Sequence, residues 1–403
     1  MNDAAPHDVA IGGHRVLPAI LSTVAFTFAT YLTIGLSLAV LPGFVHRSLG
    51  YSATLAGLTI SVQYLATLIS RPQVGRMADA LGPKRTVLTG LSLCAASGIL
   101  LLLGALAATR PPLSIGLILL ARLALGCAES CVGTGAIAWG MGQVGHHHTA
   151  RVISWNGVAT YGALAAGAPL GVALQQHFGF AAIGATTAGL MLVAWPLARR
   201  KRATPVAAGS ERSPLRTVAA RVVPYGLGLA LGSIGFGAIA TFITLFYATR
   251  GWSGAAYALS AFGAMFVGVR FVFGRSINRY GGYRVAMLSF AIEALGLLLL
   301  WLARDGGMAG LAAAVAGVGF SLIFPALGVE AVHRVPAHSR GAALGLYSVS
   351  MDVALAVVGP LGGWVAGGAG FAAIYALAAV AAVGAVALTA ALAWRRRQPA
   401  LTP

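Results

Sequence analysis

The chain has 403 residues, of which 58% are hydrophobic and only 9% charged, with 54 glycines and a mean hydropathy of +0.84. Soluble domains are about 25% charged, so this composition excludes a soluble enzyme, a disordered chain, a collagen and a disulfide scaffold. Cys94, Cys127 and Cys131 lie in apolar runs without metal-ligand spacing and read as small core residues. At roughly 20 apolar residues per crossing, there is room for about twelve membrane helices and little else.

In chain order, the first apolar run, residues 17–42, is too long for a signal-peptide core and is read as an uncleaved span. Five more are predicted over 53–74, 86–108, 113–141, 150–176 and 180–198. The one long polar stretch, 199–221, then divides the chain. A second set follows over 222–248, 254–274, 284–303, 307–332, 341–367 and 370–394. Backbone exposed to lipid must satisfy its own hydrogen bonds, so the spans are helices; the short alternating segments of a β-barrel are not seen.

The net charge of +18 is unevenly placed: 20 of the 27 Lys and Arg fall in alternate loops or at the ends, only Arg47, Arg110, Arg250 and Arg304 in the other loops, and Arg71, Arg122 and Arg270 inside spans. That is the positive-inside pattern, which puts both termini in the cytoplasm. The lipid bilayer is then the partner of the basic charge. No nucleic acid is expected, because the basic residues lack interleaved aromatics.

The halves resemble each other. Residues 169–183 (PLGVALQQHFGFAAI) match 360–374 (PLGGWVAGGAGFAAI) at eight of fifteen positions with an offset of 191. Residues 71–85 (RPQVGRMADALGPKR) and 270–284 (RFVFGRSINRYGGYR), offset by 199, share the first and last Arg, both glycines and the Arg after the first glycine. Two such matches in corresponding places describe six helices and a parallel copy, the symmetry of a transporter whose site lies between its halves. The expected fold class is thus all-α integral membrane: twelve transmembrane helices as two six-helix bundles related by a pseudo-two-fold axis along the membrane normal. The expected domains are 1–198, a cytoplasmic linker 199–221, and 222–403 with a basic tail.

The segment GRMADALGPKR, residues 75–85, resembles the signature motif of the Major Facilitator Superfamily: Gly, three residues, Asp, two residues, Gly, one residue, a basic pair. LLARLALG, with Arg122 and Gly126, is similar to a second family motif centred on a membrane-embedded Arg. GAPLG (Gly167, Pro169, Gly171) is a variant of the Gly-Pro motif of the family's proton-coupled exporters, with Ala168 in place of a Gly. Span eleven carries the element complete as Gly359-Pro360-Leu361-Gly362-Gly363. Residues 33–71 also resemble bacterial YhhS/YfcJ-type sugar and drug exporters. The resemblance implies a multi-pass protein of the bacterial inner (cytoplasmic) membrane.

Residues 75–85 are read as a loop in which Gly75 and Gly82 permit tight turns. Asp79 sits among Arg76, Lys84 and Arg85, and the resemblance implies a contact from here to span eleven that shuts the cytoplasmic side; the alternative is a set of surface charges of little energetic weight. In span four, Arg122, Gly126, Glu129 and Gly133 share a helical stripe, and charges there must face a cavity or a partner helix. Glu129 is read as the protonatable carboxylate and Arg122 as the cation that tunes it, or the two as a static ion pair. Asp352, near mid-depth, is a second proton or cation site. Glu293 is deep in span nine, and Glu330 is expected to pair near His333 and Arg334. The Gly-Pro elements (Gly167, Pro169, Gly171; Gly359, Pro360, Gly363) bend helices or pack them closely.

Thr27, Thr30, Tyr31, Gln63, Asn156, Thr241 and Thr244 are read as lining a substrate cavity, against the alternative that the threonines bond their own helices. The tract His146–148 is read as a solvated loop, and no metal site is expected. There is no nucleotide-binding Gly-rich loop, no cofactor is called for, and no catalytic set is visible, so the chain is not read as an enzyme. The expected function is a proton-coupled exporter (an H+ antiporter) of small organic solutes such as drugs or sugars, acting as a monomer by alternating access. A proton symporter or facilitated-diffusion carrier for uptake is the alternative, and a membrane-embedded enzyme or sensor the remote one.

Overall fold

The computed structural model describes residues 13–145, 148–204, 215–336 and 340–397; His146 and His147, and residues 205–214 of the linker, lie outside them. Twelve segments are long and apolar enough to cross a membrane: α1 (Val16–Ser48), α2 (Ala53–Leu81), α3 (Pro83–Leu106), α4 (Pro111–Val144), α5 (Arg151–Phe178), α6 (Ala181–Arg200), α7 (Arg216–Thr249), α8 (Ala255–Phe273), α9 (Gly282–Trp301), α10 (Gly306–Val332), α11 (Ala343–Ala369) and α12 (Phe371–Arg395). No strand occurs among the described residues.

Several helices outrun the expected spans. α2 was expected to end at residue 74 but continues to Leu81, carrying Gly75, Arg76 and Asp79 on its last turns. The apolar window closes where charge begins, whereas the helix stops only where the backbone must change hand. That point is Gly82, at φ +86°, followed by Pro83 at the start of α3, a left-handed residue followed by an N-terminal proline. The expected turn at Gly75 is therefore corrected: Gly75 is helical, and a Cβ there would meet open space. Other ends use side-chain caps, Ser52 Oγ accepting from Leu55 N at 3.2 Å and Asp305 Oδ1 from Met308 N at 2.8 Å.

The duplication is visible in the backbone. Gly82 and Gly281, 199 apart, have φ of +86° and +83°, and Gly179 and Gly370, 191 apart, have +78° and +80°. Packing repeats in the same way. In the first bundle α1 packs on α5, α2 on α4, and α3 on α4 and α6; in the second α7 packs on α11, α8 on α10, and α9 on α10 and α12. The bundles meet along two seams, α2 against α11 and α5 against α8.

These seams are tight at the end away from the basic loops. Gly57 and Gly359 face each other so closely that a Cβ on either would strike the other's carbonyl, and a Cβ at Gly363 would strike Ala53 and Thr54. Ser61 of α2 reaches into α11: its Oγ accepts from Gly359 N (3.1 Å) and donates to Leu355 O (3.2 Å), bridging the turn before Pro360. At the equivalent place, 199 residues on, Ser260 of α8 donates to Ala165 O of α5 (3.0 Å). Small residues and hydroxyls thus hold the halves together where the hydrophobic effect offers little between helices in lipid.

A leucine at 359 has no room and is expected to cost about 1–3 kcal/mol by overpacking. Fluorescence-detected unfolding in detergent should show a lower midpoint for Gly359→Leu than for Gly345→Leu, a site on the same helix where a Cβ meets open space.

Candidate functional site

Between the bundles lies a cavity of about 630 Å³, lined by residues of both, among them Tyr31, Tyr64, Arg71, Glu129, Asn156, Tyr161, Phe236, Arg270 and Asp352. Its lining runs to Ile153, Ile277, His333 and Leu344, at the helix ends beside the basic loops. In the other direction it stops at Tyr161 and Phe236. The same two rings face a second, apolar pocket of about 30 Å³ beside Gly35, Leu38 and Gly263. The site is open toward the basic end and closed at the far one.

Glu129 is 5% exposed and is held by neutral donors from two helices. Its Oε2 accepts from Gln63 Nε2 at 2.7 Å and from Thr67 Oγ1 at 3.4 Å, and its Oε1 from Tyr31 OH at 3.0 Å. The expected tuning partner does not pair with it. Arg122 turns away, donating from Nε to Thr59 O (3.2 Å) and from Nη1 to Ser37 Oγ (2.8 Å). Seven residues span about 10 Å of helix, and Arg122 finds nearer acceptors on α1 and α2. It acts as a buried brace among helices of the first bundle, and Gly126 beside it lets α4 touch the α2 backbone at Gln63.

Asp352, read as a second proton or cation site, meets a cation of the other bundle. Arg71 of α2 donates to it from Nε and, at 3.0 Å, from Nη2, a two-pronged pair joining the two bundles. It is an ion pair that crosses from one bundle to the other. Arg71 stands out in the sequence as a cation within a span and as the first Arg of the repeat, but no local spacing ties α2 to α11, so its partner was invisible before folding.

Arg270 is the counterpart of Arg71 under the 199-residue offset and also lines the cavity. Its guanidinium carbon lies 4.8 Å from the Phe266 ring centre and 5.9 Å from that of Tyr161. Its Nε donates to Ser321 O at 3.2 Å. That carbonyl is spare because the residue four positions on is Pro325, which has no N–H. Tyr161 is the centre of an aromatic wall, stacked on Phe266 at 3.7 Å, with Phe236 and Phe320 at 6.0 and 6.3 Å. The repeat of sequence could have pointed to Arg270, and the wall has no signal in any single helix.

The remaining expected residues divide. Tyr31 and Asn156 line the cavity; Thr27 bonds Asn156 at 2.7 Å and Gln63 bonds Glu129, both from behind the lining. Thr30, Thr241 and Thr244 are not among the lining residues; Thr30 and Thr241 are buried, and α7 presents Phe236 instead. Asp79 and Arg85 are exposed on the basic end. Lys84 Nζ donates to Arg199 O (2.7 Å) at the end of α6, inside its own bundle. Gly167 and Gly171 fit against the α1 backbone at Gly35 and Leu36, and Pro169 and Pro360 lie within continuous helices. Glu293 is buried with neither oxygen bonded. Arg334 donates to the hydroxyls of Tyr225 (2.9 Å) and Tyr283 (3.3 Å).

Comparison with known proteins agrees with this architecture. The family profile of the Major Facilitator Superfamily matches residues 23–284 and 255–403. An uncharacterized MFS-type transporter of Burkholderia mallei is 57% identical over 377 residues, covering 94% of this chain and 92% of its own. One of Pseudomonas aeruginosa is 54% identical over 382 residues, 94% of each. Among solved structures, a mutant of the nucleoside transporter NupG superposes with a TM-score of 0.73 at 17% identity, over 93% of this chain and 99% of that one. A D-xylose-proton symporter does so with 0.76 at 14% identity, over 92% and 97%. The fold is thus shared with these transporters over more than nine-tenths of each chain, and the chain belongs to the Major Facilitator Superfamily, whose members need no bound cofactor.

Proposed function

We propose that the chain is a proton-coupled exporter, an H+ antiporter of small organic solutes, in the bacterial inner membrane, with the basic end and both termini in the cytoplasm. The observation that carries the reading is Glu129: a carboxylate on the wall of the inter-bundle cavity, held by Tyr31, Gln63 and Thr67 rather than by a cation. A hydroxyl can donate or accept, so this shell tolerates the carboxylate and the carboxylic acid alike. A proton can therefore arrive and leave without leaving a buried oxygen unpaired in either state.

With the basic end in the cytoplasm, the cavity faces inward. Solute enters from that side, and the glycine seams at the far end separate as the basic end closes. Glu129 then meets the opposite compartment and takes up the proton that it later releases inside. The Arg71–Asp352 pair joins the moving halves and must break or re-form as they rock. Asp79, with Lys84 and Arg85 near it, serves the closure of the basic end. The elements Gly167–Pro169–Gly171 and Gly359–Pro360–Gly363 give α5 and α11 their bending points, and Ser61 inserted beside Pro360 supports that role. Export rather than uptake rests on the Gly-Pro element of α5. Both pairs of seam helices come from one chain, which supports a monomer as the working unit.

In proteoliposomes with an imposed pH gradient, Glu129→Gln is expected to abolish solute-driven proton flux while leaving solute counterflow. Full-rate, proton-coupled transport in that variant would remove Glu129 from the mechanism. Reversing the gradient separates antiport from symport, and transport indifferent to the gradient would mark a facilitator. For the strut, Arg71→Gln and Asp352→Asn should show a coupling on the order of 1–3 kcal/mol in a double-mutant cycle of thermal stability. The exchange Arg71→Asp with Asp352→Arg should recover most of the loss; additive single effects would show that the pair does not link the bundles.

A further inference from the structure

The duplication that places Arg71 opposite Asp352 also places Arg270 opposite a residue of the other bundle. Asp352 lies in α11, and 191 positions earlier, in α5, stands Tyr161. The two inter-bundle contacts are thus counterparts: Arg71 with Asp352 across the α2–α11 seam, and Arg270 with Tyr161 across the α8–α5 seam. In the first the cation meets a carboxylate. In the second it meets only a ring face, at 5.9 Å, and Arg270 forms no ion pair with any described residue. A guanidinium stays charged at any accessible pH, and a half-buried one without a counterion is costly.

The group is also built to stay where it is. Nε is tied to the Ser321 carbonyl that Pro325 leaves free, and one face is stacked on Phe266. Gly157 of α5 makes the space, since a Cβ there would strike Arg270 Nη1. With Nε occupied, Nη1 and Nη2 remain for a ligand, and Arg270 belongs to the cavity lining. The lining it shares includes Tyr161, Phe236, Leu322 and Leu355, an aromatic and aliphatic surface.

We propose that Arg270 is the anchoring residue for an organic anion, a carboxylate or phosphonate on an apolar or aromatic body, which takes at the α5–α8 seam the place that Asp352 fills at the α2–α11 seam. The inference rests on the reading of this cavity as the solute site, and it adds the charge class of the solute. Two N–H groups of the guanidinium hold the anion while the body lies against Tyr161 and Phe236. Release follows when the seam shifts and the second bundle carries Arg270 away from the α5 wall.

The test is equilibrium binding, independent of direction and of proton coupling, so that its failure leaves the antiport reading standing. The full chain in nanodiscs of phosphatidylcholine, where no anionic headgroup competes, is melted in the presence of benzoate, phenylphosphonate, benzamide or benzylamine. Ligand that binds only the folded state raises the midpoint. The two anions are expected to stabilise more than the amide or the amine. Arg270→Gln should weaken the anions by about 10- to 100-fold, the range for a hydrogen bond to a charged group, and leave benzamide unchanged; Arg270→Lys should keep part of the preference. Tyr161→Asp supplies the missing counterion internally, so this variant should fold and lose its response to the anions even if Arg270→Gln does not fold. Equal stabilisation by benzoate and benzamide, no stabilisation by either anion, or an undiminished anion response in Arg270→Gln or Tyr161→Asp would overturn the proposal.

Discussion

A charge inside a membrane protein must find compensation at its own depth, because neither lipid nor a distant loop can supply it. That constraint organises this molecule. Arg122 is used up as a brace between helices of one bundle. Arg71 and Asp352 answer each other across the two bundles. Glu129 is surrounded by neutral donors, and Arg270 by rings and one backbone carbonyl. Three of these side chains, Arg71, Glu129 and Arg270, share one cavity wall with Asp352. The polar chemistry of the chain is therefore concentrated where the halves meet, and the faces turned to lipid are left to Leu, Val, Ile, Phe and Trp, as at Leu192, Val380 and Trp364.

Much of the fold could be read from the chain because its determinants are local or periodic. Apolar length fixes the spans, the alternation of Lys and Arg separates the loops, and PLG…GFAAI reports the duplication. The turns at Gly82 and Gly281 were marked by the repeat, while Gly75 misled because its helix continues beyond the apolar window. The site was only half legible. Glu129 stands out as a carboxylate among small residues, but its partners Tyr31 and Gln63 come from other helices. The spacing of Arg122 and Glu129 suggested a pair that helix rise does not favour once Ser37 and Thr59 are at hand. Thr241 and Thr244 were as polar as Asn156, yet which face of α7 meets the cavity is decided by packing against α11 and α12.

The duplicated halves are alike in architecture and unlike in chemistry. Gly82 answers Gly281, Ser61 answers Ser260, and Arg71 answers Arg270, each at the same place in its half. The exception is the residue facing each Arg: a carboxylate in α11 and a phenol in α5. Two seams with identical contacts would offer a solute no distinction between the two sides of the cavity. The single exchange of an acid for an aromatic ring separates a strut from a wall while leaving the rocking framework common to both.

Ser61 stands at a point where the two functions of α11, spanning the membrane and parting from α2, conflict. Its hydroxyl completes a turn of a helix that belongs to the other bundle. If the far end parts, as alternating access requires, that hydroxyl is withdrawn from Gly359 N and Leu355 O, and its own polar atom must find a partner within α2 or in solvent. On the alternating-access reading proposed above, separation of the halves and hydration of the crevice between them are then one event rather than two, and a dry, partly parted seam is disfavoured.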